Sequence, residues 1–177
     1  CGDLARVGGR DREWLATLGT HLDAGEVPAE AASLYCRAAA AARRTSSHRA
    51  ALQLYARALA VGGLKAGARA EIRLETARIR EWIGEWSLAL RDLIQAQEEA
   101  REARRVGLLA ECQALEANLV MLGGQFERAG LLGRRALATA RQAGERGVEA
   151  GVLMTLATLA TRQGDPALAG ELRTQAQ

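Results

Sequence analysis

The chain has 177 residues, enough for one domain or one repeat array, and its formal charge at pH 7 is +3. Hydrophobic residues make up 49% but aromatic residues only 3%, so the apolar content is mostly Ala and Leu, which favours helix over sheet. No stretch reaches the roughly 18 apolar residues that span a bilayer, and the 24 basic and 21 acidic residues are interleaved, which argues against a nucleic-acid-binding surface of one sign.

Start and stop signals divide the chain into about nine predicted helices. The first covers 11–24, and the second runs from Pro28 to about Arg44, because proline is tolerated where a helix begins. Thr45-Ser46-Ser47 offers N-cap residues for a third helix, which Gly62-Gly63 ends. The remaining helices are predicted over 65–83, 86–104, 106–122, 125–143, 146–163 and 166–176. The short loops between them make consecutive helices antiparallel neighbours.

One turn phrase recurs in the later helices, each time with an alanine five residues after a glycine. The copies are Gly84-Glu85-Trp86-Ser87-Leu88-Ala89, Gly124-Gln125-Phe126-Glu127-Arg128-Ala129 and Gly164-Asp165-Pro166-Ala167-Leu168-Ala169. Their glycines are about 40 residues apart, and a fixed period of this length is typical of a helical solenoid.

These residues resemble tetratricopeptide (TPR) repeats, in which small residues lie where the two helices of a pair cross. The small positions are Ala77, Ala117 and Ala157 before the turn and Ala89, Ala129 and Ala169 after it. Trp86 and Phe126 fit the turn aromatic, whereas Pro166 departs from the pattern. The resemblance implies an all-α, right-handed α-solenoid of antiparallel hairpins. It extends to the repeat regions of bacterial multidomain signalling proteins, such as regulatory ATPases, kinases and LuxR-type activators.

Pairing the helices in order predicts an N-terminal segment with a capping helix over 1–27 and a repeat array over 28–177. The repeats are predicted near 28–62, 65–104, 105–143 and 146–177, with Ser46 in the place of the turn glycine. A competing register pairs 11–24 with 28–43 through Trp14, but it ranks second because it leaves helix 46–61 unpaired. Gly133 and Arg173 stand where the repeat pattern expects bulky residues.

The resemblance also implies which residues line the concave inner face, since they stand at fixed displacements from the small residue of each first helix. The candidate groove residues are Glu71, Leu74, Arg78, Glu81, Glu111, Ala114, Asn118, Met121, Gly151, Met154, Thr158 and Thr161. Arg78 and Asn118 are the best candidates for contacting a peptide backbone or carboxylate. Met121 and Met154 are expected to offer adaptable apolar contact.

Catalytic, metal and cofactor sites are not predicted. Cys36 and His48 could form a nucleophile–base pair only through an accident of packing, and neither histidine has a Cys or His at metal-binding spacing. The glycine-rich segment 62–67 lacks the spacing and the Ser/Thr of a phosphate-binding loop. A buried structural thiol and an inter-repeat turn are the preferred interpretations.

The expected function is a non-catalytic scaffold that binds a protein, a peptide or another domain of its parent chain, as a regulatory segment of a larger bacterial signalling protein in the cytoplasm. One alternative is a nucleic-acid- or small-ligand-binding regulator that uses Arg101, Arg104, Arg105, Arg134 and Arg135. Another is self-assembly, with two copies pairing through their end repeats. The chain begins at Cys1, which suits either a trimmed fragment, the preferred interpretation, or a lipidated terminus; three cysteines without C-x-x-C spacing suit a reducing compartment.

Overall fold

The computed structural model describes residues 12–21 and 27–177, which are arranged as nine helical segments joined by short turns. Residues 12–21 form α1. The others are α2 (Pro28–Arg44), α3 (His48–Val61), α4 (Ala66–Trp82), α5 (Trp86–Glu102), α6 (Val106–Leu122), α7 (Phe126–Ala143), α8 (Arg146–Arg162) and α9 (Pro166–Gln175). Each predicted helix is present, while Cys1 and the predicted ends of the first helix lie outside the described residues.

Helices α2 to α9 form a row of antiparallel hairpins. The most extensive contacts join α2 to α3, α4 to α5, α6 to α7 and α8 to α9. Neighbouring hairpins then stack through α3 on α4, α5 on α6 and α7 on α8, and the first helix α6 also contacts both α4 and α8. This is an all-α solenoid in which the first helices lie side by side. None of the described helices is both long and apolar enough to cross a bilayer.

The core runs through the stack because no hairpin can bury its apolar face alone. One of its clusters joins Leu74 of α4, Leu93 of α5 and Leu108 of α6, and another joins residues of α6, α7 and α8. The predicted crossing residues Ala77, Ala117, Ala157, Ala89 and Ala169 are fully buried, and Ala129 is nearly so. Small side chains at these crossings let the helix axes approach closely.

The turn inside each hairpin has one geometry. Gly84, Gly124 and Gly164 have φ values of 81°, 79° and 83°, and Ser46 has a φ of 55°. The next residue donates its N–H to a carbonyl five residues back, as from Glu85 to Arg80 at 2.8 Å. This is a Schellman turn, which needs a left-handed residue and therefore favours glycine. Ser47 takes the N-cap position of α3 but makes no capping hydrogen bond with its side chain.

Segment α1 packs against α2. The hydroxyl of Tyr35 hydrogen-bonds to Thr20 Oγ1 at 3.2 Å, Gly19 leaves room for the Tyr35 ring, and Leu15 joins the first core cluster. Trp14, which belongs to the competing register, is 63% exposed. Helix α2 also pairs extensively with α3.

Gly133 and Arg173, which stand where the repeat pattern expects bulky residues, have different surroundings. Gly133 is buried on α7, and a Cβ atom there would lie 2.7 Å from Leu156 Cδ2 of α8. Glycine at 133 therefore permits a close approach between two stacked hairpins. Arg173 is exposed on α9 and donates a hydrogen bond to Thr161 Oγ1 at 3.0 Å.

Candidate binding groove

Three open depressions adjoin one another along the side of the solenoid that carries the first helices, and together they form what we call the groove. The first, of about 360 Å³, lies between α2 and α4. The second, of about 650 Å³, lies between α4 and α6 and extends to the end of α7. The third, of about 510 Å³, is lined by α4, α6 and α8. Glu71 and Glu75 belong to the first two depressions, and Glu111 belongs to the second and third.

The predicted polar groove residues are paired with one another across neighbouring first helices. Arg78 Nη2 lies 2.5 Å from Glu111 Oε2, and Arg78 Nη1 lies 3.4 Å from Glu75 Oε1. Asn118 Nδ2 donates to Glu81 Oε1 at 2.8 Å. The contact with Glu75 lies within α4, whereas the contacts of Arg78 with Glu111 and of Asn118 with Glu81 link α4 to α6. In the free chain, side chains predicted to bind a guest therefore bridge adjacent repeats.

The predicted apolar groove residues divide between the core and the surface. Leu74 is 3% exposed and Met121 is 4% exposed, and both pack within core clusters. Leu74 also lines the second depression, whereas Met121 lines none of the three. Met154 is 47% exposed on α8, one turn before the exposed Thr158, whose hydroxyl donates to the Met154 carbonyl. Neither α8 residue lines the third depression, whose α8 wall is formed by Gly147, Val148, Gly151 and Thr155.

The groove carries more acid than base, although the whole chain is basic. Its walls include five carboxylates and three guanidinium groups, for a formal charge of −2, against +3 for the chain. The acidic members are Glu71, Glu75, Glu81, Glu111 and Glu145, and the basic ones are Arg78, Arg104 and Arg105.

Burial and these carboxylates act together on the ionisable groups of the first depression. Burial, with Glu71 nearby, raises the pKa of the Cys36 thiol to about 11. Burial, with Glu75 nearby, raises the pKa of Tyr55 to about 12. Burial is also the main cause that raises the pKa of Cys112 to about 12. Both thiols therefore stay protonated at neutral pH, whereas a nucleophilic cysteine must be a thiolate.

The structure gives Cys36 and His48 different surroundings. Cys36 lines the first depression, whereas His48 begins α3 and its ring lies 6.5 Å from the ring of Trp82. Within residues 12–21 and 27–177, no group of three His, Cys, Asp or Glu side chains is placed to hold a metal ion.

The five arginines that the nucleic-acid-binding alternative would use do not all lie in the groove. Arg104 and Arg105 line the groove, and Arg105 Nη2 donates to Glu71 Oε1 at 3.0 Å. Arg101 donates to Gln97 of its own helix, and Arg134 and Arg135 are exposed on α7.

Several solved structures share this architecture. BtubC from P. vanneervenii superposes with a TM-score of 0.75 at 19% identity, over 84% of this chain and 63% of that one. The Rap protein complexed with Competence and Sporulation Factor gives 0.70 at 18% identity, over 82% of this chain and 42% of Rap. A Podospora anserina putative kinesin light chain with nearly identical TPR-like repeats gives 0.69 at 20% identity, over 98% of this chain and 90% of that one.

The chain has a TPR-like repeat fold. No protein-family model and no curated protein matches its sequence. The chain spans less than two thirds of the length of BtubC and of Rap, and identities near 20% establish the fold alone.

Sequence reasoning missed the part of the TPR-like groove that lies between α2 and α4. The sequence prediction counted the fixed displacements that define the inner face only from Ala77, Ala117 and Ala157. Counted from Ala39, the same displacements give Ser33, Cys36, Ala40 and Arg43. Ser33 and Cys36 line the first depression, and Arg43 Nη1 lies 2.5 Å from Glu75 Oε2. The signal was therefore present in the sequence. Tyr55 could not be found in this way, because it belongs to α3, a second helix.

Proposed function

We propose that this chain is a non-catalytic scaffold whose groove binds an extended segment of a partner protein. The observation that carries the proposal is the groove itself, a run of three open depressions with shared walls on successive first helices. A small-molecule site is usually one concave pocket that encloses most of its ligand. A long, open, polar surface made by stacked repeats suits an elongated guest instead.

The internal pairs of the groove are weak enough to exchange for contacts with a guest. In the pair of Arg78 and Glu111, the side chains are 44% and 35% exposed. Ion pairs this exposed are worth about 0–1 kcal/mol, because water competes for both partners. A guest that presents charged or amide groups can therefore replace them at small cost. The groove would then recognise its guest by shape and charge rather than by reaction.

The setting we propose is a regulatory segment of a larger bacterial signalling protein in the cytoplasm, with the partner segment supplied by another protein or another part of the parent chain. Two features support it: the sequence resemblance to such repeat regions, and the likeness in fold to Rap, whose structure is a complex with Competence and Sporulation Factor. Binding of nucleic acid and pairing of two copies through their end repeats remain untested sequence predictions.

A selection from a displayed library of random twelve-residue peptides tests the proposal. We expect the chain to enrich peptides that bind at micromolar affinity. We expect Arg78→Gln to weaken them about 10-fold, because it removes a charged donor to a backbone carbonyl or carboxylate of the peptide, and such a hydrogen bond is worth about 1.5–3 kcal/mol. Isothermal titration of the enriched peptides measures both quantities.

The matched control is Arg134→Gln, which removes an exposed arginine of α7, a second helix outside the groove. It should leave the affinity unchanged. If no peptide is enriched, or if both substitutions weaken binding equally, the groove is not the binding surface.

A further inference from the structure

We infer that the first depression of the groove receives the cationic side chain of a lysine or arginine from the bound segment. This inference rests on the proposed function and names the chemistry of the guest at one place. Its basis is the composition of the depression, which combines apolar walls, two carboxylates and a buried phenol.

The shape of the depression suits a long aliphatic side chain. Leu64, Ala68 and Ile72 line it, so three apolar side chains border a space of about 360 Å³. Lysine and arginine bury their methylene stems against apolar surface while the charged head reaches polar groups. A short polar or acidic side chain would leave these walls without contact.

The charge of the depression selects a cation. Glu71 and Glu75, one helical turn apart on α4, are its only charged lining residues within the described part of the chain. The neighbouring depressions differ, because Arg104 and Arg105 line the second and Arg78 lines the third. Burial is the main cause of the raised pKa values of Cys36 and Tyr55, and Glu71 and Glu75 add to it.

The two carboxylates retain capacity for another donor. Glu71 accepts from Arg105 through Oε1, and no described residue hydrogen-bonds to its Oε2. Glu75 contacts Arg43 through Oε2 and Arg78 through Oε1, but its Oε2 has no partner in hydrogen-bonding geometry among the described residues. An ionised carboxylate offers about four acceptor positions, so an incoming ammonium or guanidinium can share the exposed Glu71 carboxylate. Glu75 Oε2 is enclosed beside Arg43 and acts on the incoming group through its charge.

The hydroxyl of Tyr55 is a further feature that indicates a ligand. The Tyr55 side chain lines the depression and is only 5% exposed, and its hydroxyl makes no hydrogen bond with any other described residue. The hydroxyl oxygen is not one of the enclosed, unpartnered polar atoms of the described residues, so it borders the open space of the depression. A cationic head between Glu71 and Glu75 would donate to this oxygen and satisfy it.

Titration with small probes tests the site on the full chain, independently of any selected peptide. The probes are Nα-acetyl-lysine N-methylamide, its norleucine analogue, which lacks the charge, and Nα-acetyl-glutamate N-methylamide. Methyl NMR signals of Ala68 and Ile72 report binding. We expect saturable shifts with the lysine probe, at least 10-fold weaker binding of the norleucine probe, no binding of the glutamate probe, and weakening by salt.

Three variants separate the site from a general effect of charge. Glu71→Gln and Tyr55→Phe should each weaken the lysine probe several-fold, whereas Glu98→Gln, an exposed carboxylate of α5 outside the groove, should not. Because Glu71 is an exposed member of its ion pair, its substitution leaves the fold intact, which thermal unfolding checks. Equal binding of the lysine and norleucine probes, or equal loss in all three variants, would overturn the inference.

The two proposals fail separately. If library peptides bind in the groove but the lysine probe shows no preference for the first depression, the inference fails and the proposed function stands. If the lysine probe binds as expected but no peptide is enriched, the proposed function fails, and the depression remains a site for an aliphatic cation.

Discussion

At the scale of single residues, the side chains that we propose contact a guest are paired with one another in the free chain. Arg78 and Asn118 have the chemistry to hold a peptide, but Glu111 and Glu81 occupy them in the free chain. The partners lie 33 and 37 residues apart, which places them on neighbouring first helices of a 40-residue repeat. Binding at these positions therefore depends on exchange of partners rather than on free groups.

Cys36 gives a direct test of the electrostatics of the groove. With a pKa of about 11, its alkylation by iodoacetamide should speed up about tenfold per pH unit up to pH 11 and be roughly 100-fold slower at pH 8 than that of an ordinary thiol. Glu71→Gln should increase the rate, because Glu71 contributes to the raised pKa, whereas Glu98→Gln should not. Mass spectrometry of the Cys36 peptide measures the rate separately from Cys1 and Cys112.

The same shift has a consequence for stability. In the unfolded chain the thiol ionises near its usual pKa of 9.0, so between pH 9 and 11 the folded state holds the proton that the unfolded state has lost. The contribution of Cys36 to the free energy of unfolding therefore falls as the pH rises through this window. An alkylation rate of Cys36 that levels off near pH 9 would contradict the raised pKa of its thiol.

At the scale of helices and turns, the repeat consists of two similar halves. The left-handed positions Gly84, Arg104, Gly124, Gly144 and Gly164 are spaced by 20 residues, so the turn within a hairpin and the turn between hairpins share one geometry. Hydrogen bonds from Arg105 to the Ala100 carbonyl and from Glu145 to the Ala140 carbonyl repeat the pattern seen at Glu85. From α4 to α8, each half is therefore a helix closed by a Schellman turn, whereas α3 ends at Gly62 without this hydrogen bond.

This regularity explains which parts of the fold were predictable. Glycine and proline mark most helix ends, so the ends of α5, α6 and α8 fall within two residues of the predicted ones. The groove pairings were less accessible, because they depend on how far α6 is rotated against α4, which the sequence period does not state. The burial of Met121 has the same origin, since rotation about the α6 axis decides which residues face α7 and α8.

Gly133 tests the packing between α7 and α8. Gly133→Ala should destabilise the chain by about 0–2 kcal/mol, because overpacking costs about 1–3 kcal/mol and outweighs a gain in helix propensity of about 1 kcal/mol. Gly151→Ala places the same methyl group on α8 where nothing lies within 4 Å, and it should stabilise by about 0.5–1 kcal/mol. Urea unfolding followed by circular dichroism compares the two variants. Equal stabilisation by both would show that α7 and α8 have room to spare at position 133.

At the scale of the whole molecule, the groove and the whole chain differ in the sign of their charge, which favours partners with basic residues. The chain is basic overall, yet the lining of the groove has a formal charge of −2. A field of one sign in a groove on a molecule of the opposite sign orients a charged partner as it approaches. The TPR-like fold provides the rigid surface, and the acidic lining favours a segment that carries basic residues.

The central claim is that the groove, rather than the surface of the second helices, holds the partner segment. Hydrogen–deuterium exchange of the chain with and without a library-selected peptide tests this most directly, because a bound segment slows exchange where it covers the backbone and stabilises local structure. We predict added protection in α2, α4, α6 and the first half of α8, with no change in α5 or in α7 before its last turn. Added protection confined to α5 and α7, or none with a peptide that binds, would contradict it.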